Sequence, residues 1–244
     1  MDLGWLEFYV AGGSATVMRV APGDVTAAEL AGRVLAELRG RRVDEAFWAV
    51  GPGFLPEGTG RVLLGLGAGV DRVIDICAYP LGGELPGGPL PGAVTARPVQ
   101  TREDVADYER ASCAAWGYRQ PSDADIDRTF AGLTPGYFVG YWEEMPAGAG
   151  GYTIAGGVAR LWGAGVVPAF RGRGVYRALV RARLAQAAGR GATLALVHAE
   201  PTSSPVLQRL GFRVYGQRRV LALGRALASD GPGSPAADAG AVGG

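Results

Sequence analysis

The chain has 244 residues, 48% of them hydrophobic and 19% charged, enough apolar material for one large domain or two small ones. All 24 basic residues are arginine and the one histidine is His198, which excludes a Walker-type phosphate lysine, a Schiff-base lysine and a pyridoxal-phosphate anchor, and leaves too few ligands for a multi-histidine metal site. The net charge of +1 carries no nucleic-acid footprint, no apolar run is long enough to span a membrane, and Asp2 and Glu7 stand where a secretory signal would be basic and then apolar, so the default expectation is cytoplasmic.

In chain order, LEFYV and SATVMRV flank a short turn at 11–13 and predict a hairpin. A helix opens at Thr26, which forms a capping-box pattern with Glu29, and carries the stripe Leu30, Val34, Leu35, Leu38. Runs at 46–50, 61–66 and 72–78 read as strands. Between the last two, Gly65, Gly67 and Gly69 look like half of a dinucleotide fingerprint, but the β-branched VDRVIDIC follows in place of a helix, so a hairpin turn is expected. The stretch YPLGGELPGGPLPGA, 79–93, interrupts regular structure and predicts a boundary between a small α+β domain, 1–92, and a larger one, 93–225. Residues 226–244, rich in Gly, Ala, Ser and Pro, are expected to be disordered.

Past the boundary, a strand at 95–99 precedes a helix at 101–116 that opens with Thr101 and Asp104 and shows Val105, Tyr108, Ser112 and Ala115 on one face. Ser122 and Asp125 open a second helix. Strands at 137–142, 151–155 and 159–167 suggest an antiparallel meander, with Glu143 and Glu144 in a solvated turn. A helix at 175–188, a strand at 193–199, a short helix at 205–210 with Ser204 as its cap and Pro205 at its first position, and a strand at 213–223 follow. Cys77 and Cys113 form no CxxC pair, fit a reducing compartment, and Cys113 reads as a buried, inert thiol.

The segment GAGVVPAFRGRGVYRALVRARL, 163–184, carries the chemistry. Pro168 stops the strand. Gly172 and Gly174 let backbone N–H groups approach a ligand, the helix start adds partial positive charge, and Arg171 and Arg173 supply the counter-charge a lysine would otherwise give. Such an anion cradle suits a diphosphate. Taken alone, the turn reads equally well as a plain strand-to-helix connection with solvated arginines.

Residues 95–223 resemble the GNAT N-acetyltransferase superfamily, whose loop Arg/Gln-x-x-Gly-x-Gly/Ala holds the acyl-CoA pyrophosphate. Arg171 and Gly174 match that pattern, and LQRLGF, 207–212, is similar to the family's short helix and Gly-Phe pair. The resemblance implies an α+β fold with a mixed, mostly antiparallel sheet flanked by helices, and acetyl-CoA as co-substrate. It implies a cofactor-binding set of Val166, Val167, Arg171, Gly172, Arg173, Gly174, Val175 and Tyr176. The Val166 backbone would pair with the pantetheine arm where two strands splay. Three positions depart from the family: Tyr176 replaces its glycine or alanine, Leu207 its frequent tyrosine acid, and Glu200 its frequent asparagine.

The implied activity is direct transfer of an acetyl group to an amine. A non-catalytic CoA-binding or protein-interaction module on a degenerate fold is the competing reading, motivated by Tyr176 and Leu207. His198 and Glu200 are the candidate proton carriers, sharing a strand face if the extended alternation persists. A packed histidine and a helix-capping glutamate are the structural alternatives. Trp116, Tyr118 and Tyr152 are candidates for an acceptor pocket, against a role in the core. The acceptor, a small-molecule or peptide amine, is left open, as is a homodimer. Residues 1–92 could be a degenerate transferase-like half, but they contain no second Arg-x-x-Gly-x-Gly loop, so one ligand per chain is expected.

Overall fold

The alternating pattern of the N-terminal residues builds β1 (Leu6–Ala11) and β2 (Ser14–Val20), paired antiparallel. In the computed structural model, which describes residues 1–228 apart from 12, 22, 42, 55, 86 and 87, the expected capping box holds the start of α1 (Ala27–Gly40). Thr26 accepts from the Glu29 amide, and the Glu29 carboxylate accepts from the Thr26 amide. Leu30, Val34, Leu35 and Leu38 are buried, as their spacing requires. β3 (Glu45–Val50) then lies parallel to β2.

The expected strand at 61–66 is instead a helix, α2 (Thr59–Gly65). RVLLGL is a short apolar run that periodicity alone cannot assign, and the structure resolves it by burying Thr59 and Leu63, four residues apart, on one helical face. Gly67, at φ +94°, turns α2 into β4 (Gly69–Pro80). The glycine cluster therefore joins a helix to a strand and makes no hairpin. No helix follows it, so it is not a dinucleotide loop.

Next come β5 (Val94–Pro98), α3 (Arg102–Trp116) and α4 (Asp123–Ala131), both helices opened by the expected capping boxes at Thr101 and Ser122. β6 (Tyr137–Trp142), β7 (Met145–Ala155) and β8 (Val158–Val166) form the meander. α5 (Val175–Gly189), β9 (Leu194–Ala199), α6 (Ser204–Arg209) and β10 (Arg213–Ala222) complete the order.

The chain packs as two units, Asp75–Gly216 and Met1–Ile74 with the C-terminal segment from Gln217. In the larger unit the strands run β4-β9-β8-β7-β6-β5, with β8 and β9 parallel and every other neighbouring pair antiparallel. α5 lies close on the sheet because Gly140 and Gly148 have no side chain; a Cβ on Gly140 would sit 2.8 Å from Val175 Cγ1. On α3, Val105, Tyr108 and Ala111 form a separate apolar cluster with Val139, Tyr141 and Ala149. The smaller unit runs β1-β2-β3-β10, where Arg219–Ala222 pairs antiparallel with β3.

These divisions differ from the boundary expected at 79–93. The reason is that Asp75–Pro80 of β4 pairs with β9, so a strand assigned by sequence to the N-terminal domain belongs to the sheet of the larger unit. Part of the expected tail is also ordered: α7 (Gly224–Ala228) buries Ala226 and Leu227, while 229–244 lie outside the described residues. No described helix is long and apolar enough to cross a membrane.

A fragment of 93–228 lacks β4 and leaves an edge of β9 without its ladder. It is expected to show no cooperative thermal transition by circular dichroism where the full chain shows one. A sharply melting fragment would mean β4 is dispensable.

Candidate active site

The site begins where two parallel strands separate. β8 and β9 pair only from Val158 opposite Leu194 to Leu161 opposite Val197. Just beyond, β8 carries a bulge: Gly163 and Ala164 stand against Gly150 of β7, with Gly163 at φ +61°. A bulge bends its strand and ends local pairing, which leaves the β9-facing edge of 162–166 open among the described residues.

The chain then passes through a 3₁₀ turn, Pro168–Phe170, into α5. Gly172 (φ +76°) and Gly174 (φ +93°) take left-handed conformations that side chains disfavour. Among the described residues, the amides of 172–177 donate to no backbone carbonyl; the first bond of the helix is from Ala178 to Gly174. The helix start has no side-chain cap and no acidic residue in its first turn, so its amides and dipole face outward unopposed. Arg171 Nε donates to the Val166 carbonyl at 3.2 Å. The Arg173 guanidinium lies 4.8 Å above the Trp142 ring. Val175 is buried in the core and offers the loop only its amide. The Val167 amide is taken by the Ala147 carbonyl, and its side chain packs with the α3 cluster.

Two hollows meet at the splay. A groove of about 470 Å³ is lined by Trp116, Gly165, Val166, Arg171, Tyr176, Ser203 and neighbours. A smaller cavity of about 200 Å³ is lined by Trp116, Trp162, Tyr176, Arg183, His198, Glu200 and Leu207 among others. Trp116, Ala164, Tyr176 and Ser203 line both. A third hollow, about 400 Å³, lies against the loop itself, with Pro91, Trp142, Gly172, Arg173, Gly174 and Arg177 around it.

His198 and Glu200 are thus brought together on one cavity, although β9 ends at Ala199 and Glu200 follows the strand. Trp116 lines both the groove and the cavity. Tyr118 is exposed and is not among the residues lining either hollow, while Tyr152 is a core residue, 1% exposed, whose hydroxyl hydrogen-bonds Gln186 at 2.8 Å. The β-strand alternation that buries Tyr152 is a tertiary choice of face. Glu143 and Glu144 are exposed in a turn.

Tyr176 does not lie over the loop. Its ring packs against the core cluster and lines both groove and cavity, and it is not among the residues around the hollow at the loop. Burial raises the phenol's pKa, opposed by the Arg183 guanidinium and the Ser203 hydroxyl. Leu207 is fully buried. Ser204 is the first residue of α6 and not its cap; Ser203 holds the cap position without a side-chain capping bond, its hydroxyl donating instead to the Glu200 carbonyl at 3.2 Å. The Ser204 hydroxyl is used elsewhere, donating to Asp75 Oδ2 at 2.5 Å and accepting from Gln208 Nε2 at 3.0 Å. Cys77 lies beside it, 3.9 Å from Sγ to Oγ, its thiol pKa raised by burial. Cys113 is only partly buried.

Sequence reasoning passed over Arg183. It is 1% exposed, and burial pushes its pKa down to about 10. Its signal was present: a charge among the inward positions Leu179, Val180, Leu184 and Ala187 of α5.

No curated protein matches this sequence. Solved structures do match. A GCN5-related N-acetyltransferase from Sphaerobacter thermophilus superposes with a TM-score of 0.67 at 16% identity, over 89% of this chain and 75% of that one. One from Kribbella flavida gives 0.61 at 20%, over 96% and 92%. A tandem GNAT protein from the clavulanic acid biosynthesis pathway gives 0.63 at 15%, over 89% and 77%. At these identities the likeness is one of fold, and it extends over both units. The sequence model of the acetyltransferase (GNAT) family matches residues 102–212, the span that holds the splay, the glycine turn, both proton-carrier candidates and the Gly-Phe pair. The chain therefore carries, over 102–212, an acetyltransferase domain of the GNAT family.

Proposed function

We propose that the chain is an N-acyltransferase that takes an acetyl group from acetyl-CoA and passes it directly to an amine. The observation that carries this is the run of unpaired amides at 172–177, set beside the open edge of β8. The amides of the turn and first helical turn, with Arg171 and Arg173, would hold the diphosphate. The open edge at Val166 would hydrogen-bond the pantetheine arm as a strand would, with the thioester reaching the boundary marked by Tyr176.

Acetyl-CoA supplies an activated acyl carbon. Around it, Glu200 or His198 accepts the proton the acceptor amine must lose, so that the nitrogen attacks neutral. The new C–N bond forms as the C–S bond breaks. Tyr176 protonates the departing thiolate, taking over from α5 the task that Leu207, on α6, cannot perform, and its phenolate then takes the second proton, which the nitrogen sheds on becoming an amide. Burial keeps its phenol protonated until needed, and the nearby Arg183 charge stabilises the phenolate that results. The smaller unit is read as a transferase-like half without a cofactor site. Its equivalent helix start, on α1, is closed by Thr26 and the Glu29 carboxylate, which repels an anion.

Isothermal titration with acetyl-CoA is expected to give one site per chain. Gly174→Glu, which forces a side chain into a left-handed position and adds a negative charge, should weaken binding at least about tenfold, or about 1.4 kcal/mol. Absence of binding, or equal binding by the variant, would sink the proposal. Tyr176→Phe is expected to lower kcat about 100-fold or more with acetyl-CoA affinity unchanged, read as free thiol released. Binding without thiol release across a broad amine panel would favour the non-catalytic module.

A further inference from the structure

Arg183 is the one charged residue on the buried face of α5, among Val175, Ala178, Leu179, Val180, Leu184 and Ala187. Its Nε donates to the Leu179 carbonyl at 2.9 Å, and Nη1 to Gly151 at 3.1 Å and Trp162 at 3.4 Å. Those last two carbonyls flank the bulge that opens the splay. The hydrogen bonds of the guanidinium to described residues run from Nε and Nη1, and none from Nη2. Among the described residues no acidic side chain pairs with the guanidinium; the ionisable groups that act on it are the phenols of Tyr176 and Tyr108.

A guanidinium held away from water without an anion is costly, and a well-packed apolar residue of similar size would usually serve stability better. Bonding three carbonyls accounts for Nε and Nη1 but not for the charge or for Nη2. Arg183 also lines the small cavity, where the other ionisable side chains besides Tyr176 are His198 and Glu200. The cavity thus presents a fixed cation together with proton-accepting groups. At about 200 Å³ it is small for a drug-sized ligand and suits a compact molecule with both an amine and an acid.

We propose that Arg183 is the acceptor's carboxylate-binding residue, and that the acceptor class is a free amino acid or a similarly small aminocarboxylate. The carboxylate would accept from Nη2, presenting the amine toward Glu200 and His198. A peptide N-terminus fits this less well, because its first residue has no free α-carboxylate. The assignment rests on the acyl-transfer reading for its reaction, but carboxylate binding can be measured without it.

The experiment uses the full chain with the standard amino acids, each paired with its amide and decarboxylated amine. Binding is read by calorimetry and turnover as thiol released from acetyl-CoA. At least one free acid is expected to bind, and to exceed its amide about 100-fold or more in kcat/KM, since a site built around a charged hydrogen bond strongly rejects a partner lacking it. Arg183→Met should erase that preference while acetyl-CoA titration is unchanged, and Arg183→Lys should restore part of it. If Arg183→Met fails to fold, the wild-type comparison and Arg183→Lys still decide. Equal use of acids and amides, no binding of any acid, or a preference that survives Arg183→Met would overturn the assignment. Loss of acetyl-CoA binding by the native chain would instead strike the acyl-transfer reading, leaving the amino-acid titration to judge Arg183.

Discussion

Everything at this site depends on two parallel strands parting after four paired residues. β8 follows β9 from Val158 to Leu161 and then leaves it, because one extra residue at Gly163–Ala164 bends the strand. The bend is fixed by packing on both faces. The Trp162 ring occupies space that a side chain on Gly151 would fill, since a Cβ there would lie 2.3 Å from it. On the other side of the bulge, a Cβ on Gly165 would meet Ala115 at 2.9 Å. The three glycines 150, 151 and 165 therefore serve to let an aromatic ring, a guanidinium and a helix approach the backbone closely. The opening that results gives a groove on one side of Tyr176 and a cavity on the other.

The electrostatics follow from a composition without lysine. A lysine's point charge is unavailable, and the proposed phosphate site would rely on oriented amides, which need only glycine and a helix start. Arginine then divides into roles by what surrounds it. Arg171 ties the loop to the end of β8, Arg173 lies over the Trp142 ring, and Arg183 is desolvated within α5. The planar guanidinium makes the last two placements possible, since it stacks on rings and donates in several fixed directions.

Local chemistry was legible in the sequence, and choices of partner were not. The capping boxes at Thr26, Thr101 and Ser122 are complete within four residues, so the sequence alone determined where three helices begin. The glycine turn was legible for the same reason. α2 was missed because a seven-residue apolar helix has the composition of a strand, and only burial of Thr59 with Leu63 distinguishes them. The boundary was missed because proline and glycine mark where regular structure stops, whereas a unit is defined by which strands pair. Ser204 shows the limit most sharply: Ser-Pro before a helix suggested a cap, but Asp75, 129 residues away in sequence, takes the hydroxyl.

The two units share an order of elements, which sharpens what is particular to the larger one. β1-β2-α1-β3-α2 repeats the sequence hairpin, helix, parallel strand, helix seen in β7-β8-α5-β9-α6. Each is followed by a strand, β4 or β10, whose second half pairs antiparallel with the parallel strand of the other set, β9 or β3. What separates them is the junction before the long helix. In the smaller unit, threonine and glutamate satisfy two amides at the start of α1 and set a carboxylate there, which stabilises the helix by about 1 kcal/mol and opposes an anion. In the larger unit, glycine leaves the corresponding amides without acceptors among the described residues, and that forgone stability would be the local cost of the proposed binding site.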